Sequence, residues 1–289
     1  MNAATTDCLL TNLAFPEGPA FAPDGSLWLV ELKGGCLVRL KPNGQLTRFA
    51  VGGQPNGIAI DAPGRIWFCD AGQNAIRRFD PATHRLETLA ETLDGQPLDK
   101  PNDLAFDATG NLVFTCPGNS RRESTGYVCV LLPDGRVRKI ADGLYFPNGL
   151  AFDAEGRHLF IAETYRHRIW KGRWNAPTAE WTNARVWCEV GGPDGPGGPD
   201  GMAIDEQGNL YVAVYGTGEI RVVGPAGHIH EHLRLPGQNP TNCAFIPADP
   251  PGLVITEAEH GQVLRLPTPA KGSRLFTGLP ADRTINSSF

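Results

Sequence analysis

The segment Pro147-Asn-Gly-Leu-Ala-Phe-Asp-Ala-Glu-Gly156 recurs, with small changes, along the whole chain. Its counterparts are Pro16-Glu-Gly-Pro-Ala-Phe-Ala-Pro-Asp-Gly25, Pro55-Asn-Gly-Ile-Ala-Ile-Asp-Ala-Pro-Gly64, Pro101-Asn-Asp-Leu-Ala-Phe-Asp-Ala-Thr-Gly110, Pro199-Asp-Gly-Met-Ala-Ile-Asp-Glu-Gln-Gly208 and a degenerate Thr241-Asn-Cys-Ala-Phe-Ile-Pro. Their second positions, Glu17, Asn56, Asn102, Asn148, Asp200 and Asn242, are spaced by 39, 46, 46, 52 and 42 residues. Periods of about 40 to 50 residues are the signature of a propeller built from four-stranded blades. Each repeat reads as a short apolar strand, an Asp-x-x-Gly turn and a second strand such as Leu27-Trp-Leu-Val30 or Leu159-Phe-Ile161. Alternating runs such as Ala75-Ile-Arg-Arg-Phe79 and Leu86-Glu-Thr-Leu89 complete the blade. No long apolar stripe of helical period interrupts them. The expected fold is therefore all-β, one six-bladed propeller domain over residues 1–289. The run Cys8-Leu-Leu-Thr-Asn-Leu13 lacks a blade of its own and is expected to close the ring on the last blade, beside Ser273-Arg-Leu-Phe-Thr277.

Composition narrows the function classes. Gly 35 and Pro 25 suit a turn-rich β protein, and no stretch approaches the eighteen apolar residues of a membrane helix. A net charge of -5 without a basic cluster argues against nucleic acid as a partner. Residues Met1 to Leu13 carry neither a basic n-region nor an apolar h-region, so the expected location is the cytoplasm. The seven cysteines are odd in number, contain no Cys-x-x-Cys pair and sit mostly in apolar strand patterns, which reads as reduced core thiols.

Innermost strands of a propeller converge on one end of its central channel, so the repeated column becomes a ring. That ring holds two anions, Glu17 and Asp200, and four amides, Asn56, Asn102, Asn148 and Asn242. Facing polar groups are costly in a narrow channel unless satisfied, and the two carboxylates repel each other. One bound divalent cation resolves both problems, and an all-oxygen donor set suits Ca²⁺, Mg²⁺, Mn²⁺ or Zn²⁺. Any single Asn-Gly or Asp-Gly is an ordinary turn. Glu17, a poor turn former standing in the same register, is what a turn-only reading does not predict.

Pro16-Glu-Gly-Pro19, Lys100-Pro-Asn-Asp103, Phe146-Pro-Asn-Gly149 and Pro199-Asp-Gly201 together resemble the signatures of the gluconolactonase, senescence marker protein and regucalcin family, over essentially the whole chain. The resemblance implies Glu17, Asn148 and Asp200 as metal ligands, and Asn102 facing metal or substrate. Lys100 stands where the sugar-lactone branch has a substrate-contacting Arg. By the same resemblance Asp200 is the catalytic base. A metal-polarised lactone carbonyl would be attacked by water whose proton a nearby carboxylate removes.

Nothing else in the chain offers rival chemistry: there is no Gly-x-Ser-x-Gly elbow, Walker loop or dinucleotide fingerprint. His228-Ile-His230-Glu-His232 has a zinc-compatible spacing but falls in an outer strand, where solvated decoration is the plainer reading. Gly191 to Gly198 has the glycines of a phosphate cradle without the following helix. Loops Pro117–Thr125, Glu163–His167 and Tyr215–Gly218 share the end of the ring and offer Arg121 or Arg122, and Tyr165 or His167, as substrate contacts, with Asn56 also expected to bind substrate. The expected activity is hydrolysis of a small lactone, a sugar aldonolactone, by a monomer or weak homo-oligomer. The alternatives are a broader esterase or organophosphate hydrolase on the same metal, or a propeller that only binds a ligand.

Overall fold

The computed structural model describes residues 6–278. Six antiparallel four-stranded sheets run from the inside outward. Blade 1 comprises Pro16–Phe21, Leu27–Glu31, Cys36–Leu40 and Leu46–Ala50; blade 2 Pro55–Ile60, Ile66–Asp70, Ala75–Asp80 and Arg85–Ala90. Blade 3 comprises Leu104–Phe106, Leu112–Cys116, Gly126–Leu131 and Val137–Leu144; blade 4 Pro147–Phe152, His158–Glu163, Arg168–Asn175 and Glu180–Glu189. Blade 5 comprises Gly198–Ile204, Leu210–Tyr215, Glu219–Val223 and Ile229–Arg234. Blade 6 takes Pro240–Phe245, Gly252–Glu257 and Gln262–Pro267 from one end of the chain and Asp7–Leu10 from the other. Each innermost strand touches the innermost strand of the next blade, and blade 6 returns to blade 1, so the ring is closed. The only helical residues described are a 3-10 turn at Thr164–Arg166. No helix among the described residues is long and apolar enough to cross a membrane.

The N-terminal strand closes the ring, but against a different neighbour from the one expected. Asp7 and Cys8 register with Arg265 and Leu264, while Lys271 to Gly278 leaves the sheet. It crosses the end of the ring where the innermost strands finish. Ser273 donates its N–H to Ile204 O at 2.9 Å, Phe276 packs edge-on against Phe152 at 6.3 Å, and Thr277 O accepts from Ala62 N at 3.0 Å. The reason is physical: Asp7–Leu10 already fills the outer edge of blade 6, and Pro267 and Pro269 cannot donate to a ladder.

At that same end the Asp-x-x-Gly turns are held by their aspartates. Asp61 accepts Arg65 N at 2.8 Å, Asp107 accepts Asn111 N at 2.9 Å and Asp205 accepts Asn209 N at 2.8 Å. Cores form between neighbouring blades. Trp28, Val30, Ile58 and Phe68 pack blade 1 on blade 2, and Phe160, Ile169, Met202 and Val212 pack blade 4 on blade 5. Deleting a side chain such as the fully buried Phe68 costs about 3–5 kcal/mol, so each interface makes the ring rigid around its axis. Six of the seven cysteines are buried free thiols, as expected, and Cys8 is exposed.

Candidate metal centre

The innermost strands set the site through their glycine column. In blades 1, 2, 4 and 5 the residue after the ring position is Gly18, Gly57, Gly149 and Gly201. A Cβ on Gly57 would strike the Asp103 carboxylate, one on Gly149 the Asp200 carbonyl, and one on Gly201 the Asn242 amide. The Asn-Gly and Asp-Gly pairs are therefore close contacts between blades and not turns. Adjacent blades are also pinned by buried threonines. Thr115 Oγ1 donates to Asn148 O, Thr164 Oγ1 to Pro199 O and Thr241 Oγ1 to Pro16 O, each at 2.8 Å. Those three bonds fix the backbone at or beside Asn148, Asp200 and Glu17.

Glu17, Asn56, Asn148, Asp200 and Asn242 are all buried, and Asn102 is half-buried. The ring contains a third carboxylate that the column reading missed. Asp103, only 8 % exposed, occupies the glycine position of the third repeat. The expectation of two anions is corrected to three, and the signal was present in Pro101-Asn-Asp103, where four other repeats have Gly.

No cation compensates these acids among the described residues. Burial pushes Glu17 up to about 8, helped by the charge of Asp103 and opposed by the Gly18 N–H at 2.9 Å. Burial likewise pushes Asp103 up to about 7. Asp200 is raised well above the ordinary carboxylate range, first by burial and then by the charges of Glu17 and Asp103. The Asn242 amide faces both Glu17 and Asp103, and the Asn148 amide faces Asp200. Among the described residues no three His, Cys, Asp or Glu side chains are gathered to hold a metal ion by themselves, so the fit to a hard divalent cation is one of donor chemistry, desolvated carboxylates amid amide oxygens.

The remaining expected contacts lie around this centre at different depths. Asn56 starts blade 2, and the carbonyl of Asn102 accepts Gly57 N at 2.8 Å. Lys100 is exposed and its Nζ donates to Asn119 Oδ1 at 2.7 Å. Tyr165 sits on the 3-10 turn, and the Arg121 guanidinium lies over Tyr165 at 5.8 Å and Phe146 at 5.5 Å. Phe15, Lys100 and Phe146, each just before a repeat proline, hold φ of 63°, 52° and 59°. For bulky residues that left-handed conformation costs about 1–3 kcal/mol each. The outer-strand histidines are decoration as expected: His232 Nδ1 meets Glu219 at 3.0 Å. His167 Nε2 instead lies 3.1 Å from Gly197 O and ties the glycine-rich loop to the 3-10 turn.

The family model described as SMP-30/Gluconolactonase/LRE-like region matches residues 15–259. The chain belongs to the SMP-30/gluconolactonase/LRE-like family. A gluconolactonase from Zymomonas mobilis is 29% identical over 83% of this chain and 75% of its own. A diisopropyl-fluorophosphatase from Loligo vulgaris is 28% identical over 90% and 91% respectively. Among solved structures, a gluconolactonase from Xanthomonas campestris superposes with a TM-score of 0.79 at 28% identity, covering 91% of this chain and 89% of that one. The calcium-binding regucalcin of Agrobacterium tumefaciens, at 22% identity and a TM-score of 0.83, shares the fold over 96% of this chain and 99% of its own. The propeller described above is thus the one that other SMP-30/gluconolactonase/LRE-like proteins share.

Proposed function

We propose that this chain, acting as one propeller domain, is a metal-dependent lactonase that opens a small lactone to its hydroxy acid. The observation that carries the proposal is the burial of Glu17, Asp103 and Asp200 on one ring, where each acid feels the charge of another and no cationic side chain neutralises them. The gluconolactonase relatives supply the reaction class. Glu17, Asn148 and Asp200 would hold the cation, which when bound supplies a Lewis acid for a carbonyl oxygen. Asn102 and Asn56, at the starts of neighbouring blades, orient the substrate through their amides. A carboxylate oxygen of Asp200 accepts a proton from the water that adds to the carbonyl carbon. The ring C–O bond then breaks, and the departing alkoxide oxygen takes that proton back, so one water is consumed per hydroxy acid formed. Burial of the ring excludes bulk water and strengthens each of these interactions.

The diisopropyl-fluorophosphatase relative covers nine-tenths of both chains and favours a second reading, hydrolysis of an organophosphate or other ester on the same residues. Chelation tests both readings. Dialysis against EDTA should abolish lactone hydrolysis measured by acid release, and restoring Ca²⁺, Mn²⁺, Zn²⁺ or Mg²⁺ singly should recover it and identify the preferred ion. Full activity in a protein shown metal-free by elemental analysis would sink the metal-dependent mechanism.

A further inference from the structure

Above the carboxylates the mouth of the ring is lined in an unusual way for a site that takes a neutral polyol. Phe15 of blade 1 stacks on Tyr215 of blade 5 with centroids 6.5 Å apart and planes at 27°, so the pair reaches over the start of blade 6. Phe146 and Tyr165 of blade 4 meet edge-on at 5.5 Å. Tyr215 registers with Gly198, two residues before Asp200, and Phe15 and Phe146 each stand two residues before a ring position, Glu17 and Asn148. Both aromatic pairs therefore belong to one rim close to Asp200. Two cations are stationed on these rings: Lys33 Nζ lies 4.9 Å from the Phe15 centroid, and the Arg121 guanidinium covers Phe146 and Tyr165. Among the described residues neither Lys33 nor Arg121 pairs with a carboxylate, although acids outnumber bases in the chain.

A polyhydroxylated sugar lactone needs paired donors and acceptors at each hydroxyl, and of these six rim side chains only Tyr165 and Tyr215 carry an acceptor, one hydroxyl each. Flat apolar rings match aromatic faces, and cations with free donors match a carboxylate. We propose that the preferred substrate is a lactone bearing an aromatic or flat apolar ring and a carboxylate, seated between the Phe15–Tyr215 and Phe146–Tyr165 pairs with its anion on Arg121 or Lys33. This rests on the lactonase reading above and adds the substrate class.

The test compares the Ca²⁺-loaded protein on glucono-δ-lactone, dihydrocoumarin and dihydrocoumarin-6-carboxylate. The expected kcat/KM rises in that order, by about tenfold or more from first to last, one charge-assisted contact being sufficient for such a step. Arg121→Gln and Lys33→Gln together should raise KM about tenfold more for the carboxylated lactone than for dihydrocoumarin, while Phe146→Leu should weaken both aryl lactones more than the sugar lactone. Calorimetric binding of the ring-opened aryl dicarboxylate against gluconate gives a readout independent of turnover. A preference for glucono-δ-lactone in turnover, or for gluconate in binding, overturns this substrate class and leaves the lactonase reading standing. Tight binding of the aryl dicarboxylate without hydrolysis of any lactone overturns the lactonase reading and keeps the rim assignment. Absence of both overturns both.

Discussion

Asp200 and Asp103 share burial and mutual repulsion but differ in position, and that difference separates their roles. Asp200 stands in the ring column beside the Asn148 amide, whereas Asp103 stands one residue further in, with Oδ1 held by its neighbour's Leu104 N–H at 2.9 Å. Asp200→Asn keeps an oxygen donor and removes the basicity. At metal occupancy confirmed by elemental analysis its turnover should fall about 10²- to 10⁴-fold. Asp103→Asn should weaken metal binding and leave turnover near wild type once the metal is saturating. Near wild-type hydrolysis by fully loaded Asp200→Asn would make Asp200 a ligand only and turn attention to Asp103 as base. At this scale the ring column was legible because six repeats state the same register. Asp103 was hidden because it breaks the glycine column once, and Phe15 and Phe146 because neither residue type announces a left-handed backbone.

At the scale of the element, a buried acid at the end of the second strand locks the loop that leads into its own blade. Glu31 accepts Ala14 N, Asp70 accepts Gln54 N, Glu163 accepts Tyr145 N and Glu257 accepts Asn239 N, at 2.8 to 3.0 Å. These loops carry the residues just before Glu17, Asn56, Asn148 and Asn242, so the acids position the ring. The column is visible in sequence at the ends of Trp28-Leu-Val-Glu31, Trp67-Phe-Cys-Asp70 and Val254-Ile-Thr-Glu257, but what it grips is a long-range contact that only the folded chain reveals. The best-buried case is Asp70, paired with Arg77 at 2.8 Å with side chains 0% and 8% exposed, and Arg77 also donates to Val51 O at 2.8 Å. Arg77→Met strands a desolvated carboxylate and should cost about 3–5 kcal/mol in urea unfolding. The double variant Asp70→Asn with Arg77→Met should cost less than the single one. By contrast, Arg136→Ala breaks a pair that is 76% and 51% exposed, where solvent screens the attraction, and should leave the urea midpoint where it was. An Arg77→Met protein as stable as wild type would show that three N–H donors to Asp70 suffice on their own.

For the whole molecule, the repeat fixed blade number and channel position, since both follow from a period that survives substitution. The seam was half legible: an unpaired N-terminal strand implied closure, but the partner strand depended on which of two C-terminal runs kept its ladder, and proline placement decided that. A closed ring cannot splay apart to relieve charge at its axis, so the three carboxylates act on the stability of the entire propeller. In the metal-free folded state Glu17 holds its proton up to about 8 and Asp103 up to about 7, whereas in the unfolded chain they release protons near 4.5 and 3.8. Between those limits the folded state binds more protons than the unfolded one, so its stability falls as pH rises. A bound divalent cation favours the ionised carboxylates and therefore stabilises more at high pH than at low. In EDTA the Tm should decline from pH 5.5 to pH 8, and in excess Ca²⁺ that decline should flatten, with the gap between the two curves widening as pH increases. A metal-free Tm that stays level or climbs across this window would mean that the three acids are not left unpaired at the axis, and the cation would lose its physical reason for being there.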